Sequence, residues 1–218
     1  MKHLLSISLL LLVSPWLRAE LVFESTRIEL KAALGDEKAE AVFKFRNEGD
    51  EPVLIKRVKS SCGCTVPELA KDEYGPGESG EIRALFTFGS RSGKQQKRIS
   101  VETNEGNGTG HTLLMVTQIP QWGRLQPQLL RWTLGQELSP REIRLEIEHP
   151  DQISISDTTT EMEHFLVEKA ESSPGLEVFS VTPKATGARA TERFEVTLSV
   201  GDSEETKTRQ LAVYCLIR

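Results

Sequence analysis

Cysteine is scarce in this sequence, with three residues in 218. A structural zinc site takes four nitrogen, sulfur or oxygen ligands. The histidines that would have to complete one, His111, His149 and His164, stand singly with no ligand spacing among them, so such a site is disfavoured. Basic charge is also short: 27 Lys and Arg face 32 Asp and Glu, the formal net charge is −5, and no Lys/Arg cluster stands out. A general nucleic-acid binder needs a basic stripe to neutralise phosphates, so that class is excluded. Beyond the N-terminus there is no long apolar run, and with it goes any expectation of a membrane span in the mature chain. No stretch carries a convincing helical period. The glycines of "EGNGTGH" are flanked by strand patterns on both sides, whereas a phosphate loop needs a strand before it and a helix after it. "GPGESG" lacks the spacing of a serine nucleophile elbow. No set of nucleophile, base and oxyanion donors assembles from these residues, so the expectation is a non-enzymatic protein without a cofactor.

What is present begins with "MKHLLSISLLLLVSPWLRAE". A short basic start (Lys2, His3), a run of apolar residues and serine from Leu4 to Val13, then Pro15 and a small residue at Ala19 read as a secretory signal peptide over residues 1–19. The run is short for a bilayer anchor, and no cysteine stands at the cut as a lipoprotein would need. The mature chain is therefore expected to be exported, periplasmic or extracellular, where disulfides persist. Removing the leader takes away Lys2 and Arg18 and leaves the balance more acidic still.

The remainder is 38% hydrophobic and 27% charged by whole-chain composition, enough to bury a core. Ala41, Phe43 and Phe45 alternate with Lys44 and Arg46; Ile82, Ala84, Phe86 and Phe88 form a second series, and Ile99, Val101 and Thr103 a third. A period of two marks half-buried strands. Between them "NEGDEP", "YGPGESG" and "NEGNGTG" supply turn chemistry. About seven such strands over some hundred residues predict an antiparallel β-sandwich. After "QIPQWGRLQP" the style repeats in "REIRLEIEHP", "RFEVTLSVG" and "RQLAVYCLI". The expected fold is all-β: two tandem antiparallel sandwiches, at residues 20–120 and 121–218. Trp122 and Trp132 at the start of the second read as linker and core packing rather than a carbohydrate platform.

Two cysteines share "KSSCGCT". In an extended chain, residues two apart point to one face, so the Cys62 and Cys64 sulfurs would emerge side by side, with Gly63 freeing the backbone between them. A bridge here closes a short loop and stabilises little, so cross-linking explains the spacing poorly. Three readings stay open: a static disulfide or conformational feature at a strand end, a labile thiol pair, and a two-thiolate Cu(I) site. Lys59 would favour thiolate by its charge. Cys215 is different. It shares one face of "LAVYCLI" with Leu211, Val213 and Ile217 and reads as a small core residue.

These residues resemble the bacterial exported family known as domain of unknown function fifteen seventy-three. The resemblance runs through Phe43-Lys44-Phe45-Arg46-Asn47-Glu48-Gly49, Ser61-Cys62-Gly63-Cys64-Thr65, Pro76-Gly77-Glu78 with Gly80, and Gly93, Lys97, Ile99, Val101, Thr103 and Asn104. It covers about Phe43 to Ile119 and implies an immunoglobulin-like sandwich, with no activity to carry over. Asn47 and Gly49, and Thr103-Asn104, are read as fold determinants, the first two through left-handed turn conformations. The expected role is binding or scaffolding of an unidentified protein partner at the cell envelope. A thiol site at Cys62 and Cys64, redox or Cu(I), is the alternative. A pilus-type chaperone with Arg124 as carboxylate grip is a weaker third.

Overall fold

The computed structural model describes residues 18–106, 110–185, 187–201 and 206–218. The signal peptide expected at residues 1–19 lies almost wholly outside these, and so do Asn107, Gly108 and Thr109 of the "NEGNGTG" turn. The described chain is all-β, without a helix. No helix there is long and apolar enough to cross a membrane.

Nine strands precede residue 120: β1 (Leu21–Phe23), β2 (Arg27–Lys31), β3 (Lys38–Asn47), β4 (Val53–Ser60), β5 (Thr65–Leu69), β6 (Glu73–Tyr74), β7 (Ser79–Thr87), β8 (Gly93–Thr103) and β9 (His111–Ile119). They form one sheet in the order β1-β3-β7-β5 and another in the order β2-β9-β8-β4-β6. Eight follow: β10 (Gly123–Gln126), β11 (Leu129–Trp132), β12 (Arg141–Ile147), β13 (Ile153–Thr158), β14 (Phe165–Ser173), β15 (Leu176–Pro183), β16 (Ala190–Val200) and β17 (Lys207–Ile217). Their sheets run β10-β12-β15-β14 and β11-β17-β16-β13. By packing, the chain divides into two compact units. Of the described residues, one holds those within 18–28, 40–86 and 96–115; the other holds those within 29–39, 87–95 and 116–218.

The alternation read from the sequence is the alternation of burial. Along β3 Ala41, Phe43 and Phe45 are buried while Lys44 and Arg46 are exposed. Ile82, Ala84 and Phe86 on β7, and Ile99 and Val101 on β8, are fully buried. Each buried phenylalanine contributes about 1.5–3 kcal/mol relative to exposure. Phe45 and Tyr74 meet edge to face at 4.8 Å. The second core gathers Trp122, Trp132, Ile143, Leu145, Phe165, Phe194 and Cys215 among others. Both tryptophans are thus core residues, and the Trp132 indole donates to the Ser139 carbonyl at 2.8 Å.

Not every pairing is antiparallel as expected. β11 runs parallel to β17, from Leu129 against Tyr214 to Trp132 against Ile217. A parallel neighbour needs a long crossover, and the whole of β12 to β16 lies between these two strands.

Candidate functional site

The cysteine pair sits in the connection from β4 to β5, and its backbone is a turn rather than the extended segment expected from the spacing. The Thr65 amide donates to the Cys62 carbonyl at 3.4 Å, which puts Gly63 and Cys64 at the two central positions. The turn draws the cysteine Cα atoms to 5.3 Å, and the sulfurs are bonded at 2.20 Å. Around the bond the corner is tied by other contacts. The Ser61 amide donates to the Arg98 carbonyl of β8 at 2.9 Å, and the Arg98 amide returns a bond to the Ser61 hydroxyl at 3.3 Å. The Ser60 hydroxyl donates to the Cys62 carbonyl at 3.0 Å and receives the Cys62 amide at 3.3 Å.

Both cysteines are half-buried and Gly63 is exposed. Gly63 has no left-handed φ, and a Cβ built on it would have nothing within 4 Å. Neither a left-handed φ nor any residue beyond its two chain neighbours demands glycine there. The chain leaves the turn into β5, an edge strand. Thr65 on its inner face is 3% exposed, and Val66 on its outer face is 55% exposed. The Thr65 hydroxyl lies 3.8 Å from Cys62 Sγ. Lys59 is an exposed residue of β4 paired with Ser100; the polar group held against the pair is the Thr65 hydroxyl, which the sequence reading left without a role.

The remaining motif residues build the frame. Asn47 is fully buried. Its Nδ2 donates to the Glu51 carbonyl at 2.8 Å and the Tyr74 carbonyl at 2.9 Å. Its Oδ1 accepts from the Gly49 amide at 3.0 Å and the Glu20 amide at 3.4 Å. The left-handed explanation for Asn47 and Gly49 is corrected: neither has a positive φ. Gly49 is glycine because the N-terminal segment crosses it; a Cβ would collide with the Arg18 carbonyl and come within 2.6 Å of the Glu20 nitrogen. In the Pro-Gly-Glu loop the Glu78 amide donates to the Gly75 carbonyl at 3.0 Å, with Gly77 at φ +74°, a turn that requires glycine third. The Lys71 ammonium and the Gly75 amide hold the Glu78 carboxyl below its ordinary range. A Cβ on Gly80 would strike the Tyr74 and Phe45 rings. Lys97 places its ammonium 4.4 Å from the Phe86 ring centre. Asn104 accepts from the Leu54 amide at 2.8 Å and donates to the Pro52 carbonyl at 3.1 Å, joining the end of β8 to the start of β4.

Of the histidines, His111 meets Glu105 at 2.8 Å and His164 meets Glu192 at 2.7 Å. Glu105 also receives the Leu21 amide at 2.5 Å and the Thr103 hydroxyl at 2.7 Å. Burial raises its carboxyl, but the bonds from Leu21, His111 and Thr103 outweigh that and hold it below the ordinary range. Among the described residues no group of three or more His, Cys, Asp or Glu is placed to hold a metal. Cys215 is free and fully buried, and burial, with the charge of Glu192 second, pushes its thiol up to about 12. In the second unit a cleft of about 550 Å³ opens between β13 and β14, floored by Ile153, Ile155, Val167 and Phe179, with the Lys169–Glu177 ion pair (2.6 Å) beside it.

An all-β chain with a half-exposed Ser-Cys-Gly-Cys-Thr corner is the class that fold and site define. Residues 21–117 match the family described as Protein of unknown function (DUF1573). None of the curated proteins matches. Among solved structures, the chain is similar to a protein of unknown function from Porphyromonas gingivalis W83, with 11% identity, a TM-score of 0.37, and 89% of this chain and 98% of that one covered. It is similar to the Pseudomonas aeruginosa CupB2 chaperone at 11% identity and TM-score 0.38, covering 88% and 100%. The Vibrio cholerae VesB protease matches at 11% identity and TM-score 0.37 over 46% of this chain, which spans 32% of that protein's chain. No function is drawn from likenesses of this size.

Proposed function

We propose that this chain is an exported, non-enzymatic binding or scaffold protein of the cell envelope that meets a protein partner at the Cys62–Cys64 corner. Export is supported by the leader pattern of residues 1–19 and by a bonded cysteine pair, which persists in oxidising compartments. The observation that carries the contact site is the juxtaposition at the start of β5: a half-buried disulfide followed two residues on by Val66, 55% exposed on an edge strand. Pro67 in the same strand lacks an N–H and blunts pairing of that edge with a second copy, so contact there runs through side chains and the disulfide. The test is photo-cross-linking in cells from a reactive residue at Val66, with Leu166 on β14 beside the cleft as comparator. The proposal expects a discrete adduct from position 66. Adducts from position 166 alone would move the contact to the cleft and overturn it.

A second reading is favoured by Gly63. A glycine that neither backbone nor packing requires suits a pair that must admit a third sulfur, and the corner is then an exchangeable thiol site. Replacing Cys64 by Ser separates the two readings: plain scaffolding survives it, and thiol exchange does not.

A further inference from the structure

The two sulfurs of the corner stand in different surroundings. Cys62 Sγ has the Thr65 hydroxyl at 3.8 Å. That hydroxyl is fixed, because Thr65 is 3% exposed and its backbone is paired with Phe86 of β7. The serine hydroxyls of the corner are occupied elsewhere: Ser60 serves the Cys62 backbone, and Ser61 receives the Arg98 amide. Cys64, half-buried like Cys62, follows Gly63 in the turn.

Thiol–disulfide exchange discriminates between such sulfurs. An attacking thiolate displaces the sulfur that better carries negative charge, and bonds to the other one. A hydroxyl can donate to a thiolate, and hydrogen bonding to the charged form favours that form. Resting on the thiol-exchange reading, we propose that the corner is polarised. Cys64 Sγ takes an incoming thiolate and Cys62 leaves as the thiolate held by the Thr65 hydroxyl.

The step balances. A thiolate of a partner dithiol forms a sulfur–sulfur bond to Cys64 Sγ, the Cys62–Cys64 bond breaks, and its electron pair stays on Cys62 Sγ. The partner's second thiol then gives its proton to the medium and displaces Cys64. The partner leaves with its own disulfide, and the chain gains two electrons and, at neutral pH, protons on its two sulfurs. Run backwards, Cys62 is the nucleophile that resolves a mixed disulfide on Cys64. Thr65 is a positioning residue throughout, since it makes and breaks no bond.

The experiment uses the oxidised chain, lacking residues 1–19, and glutathione as the thiol probe. Exchange is quenched with acid, free thiols are alkylated, and peptides are mapped by mass. Glutathione is expected mainly on Cys64 with the free thiol on Cys62, in a ratio of about threefold or more. In the reduced chain Cys62 should be alkylated faster near neutral pH, with a lower pH midpoint than Cys64. Thr65→Val should bring both preferences to parity, and Thr65→Ser should keep them. Should Thr65→Val fail to fold, the wild-type map and Thr65→Ser still decide. Glutathione shared equally, or found mainly on Cys62, overturns the polarity while leaving exchange intact. No exchange with either glutathione or a dithiol such as dithiothreitol removes the thiol-exchange reading itself.

Discussion

Reducing the Cys62–Cys64 bond should leave the fold standing. The loop it closes contains only the two cysteines and Gly63. For a loop this short the chain-entropy term is about 1–2 kcal/mol, against 2–5 kcal/mol for removal of a typical disulfide in a small secreted domain. The corner also has its own restraints: the Ser61 amide on the Arg98 carbonyl, the Ser60 hydroxyl on the Cys62 carbonyl and the Thr65 amide across the turn. None of these needs the sulfur–sulfur bond. A domain stability on the order of 5–15 kcal/mol absorbs a loss of that size. The assay is urea denaturation of the oxidised chain, the chain in a phosphine reductant, and the Cys62→Ser/Cys64→Ser double variant. It is followed by circular dichroism, with amide exchange at Ser61 and Thr65 as local probes. The midpoint should fall by less than about 1 M urea, with both amides still protected. A loss of about 4 kcal/mol or more, or unfolding on reduction, would refute the reasoning and make the bridge a structural staple.

Other outcomes follow from the same contacts. Asn47→Ala strands two carbonyls and two amides near a buried site, so it should cost on the order of 3–5 kcal/mol, read as a lowered urea midpoint in the first unit. Glu105 has a folded carboxyl below its ordinary 4.5, so its stabilisation is full above that value and is lost as pH falls through the lower folded value. Stability measured from pH 6 to pH 2 should show this fall, and Glu105→Gln should flatten that part of the curve. Cys215, buried and raised to about 12, should resist iodoacetamide at pH 8 in the folded chain and react once urea unfolds it.

Much of the architecture was legible because burial along β3, β7 and β8 follows a period of two, which is a local property of the sequence. The short strands were not. β1 has three residues and β6 two, too few to display any period, and the described residues before 120 hold nine strands where alternation suggested about seven. The parallel seat of β11 beside β17 was also hidden, since it joins segments more than eighty residues apart. Gly49 shows the same limit in a single residue: its motif could be read, but its reason is the N-terminal segment passing over it. At the candidate site the pair itself was evident from spacing. The turn that bends it, and the Thr65 hydroxyl beside Cys62, depend on how β5 pairs with β7 and were not.

Thiol exchange at the Cys62–Cys64 corner is the claim on which its polarity rests, and plain scaffolding does not need it. The most direct measurement is the intact mass of the mature protein taken from its native compartment. Thiols are trapped by alkylation at lysis, and metal is assayed on a parallel native sample. The account predicts a mixed population of bridged and doubly alkylated chains that shifts with mild reductant and carries no metal. A uniformly bridged population that mild reductant leaves unchanged, or stoichiometric bound copper, would contradict it.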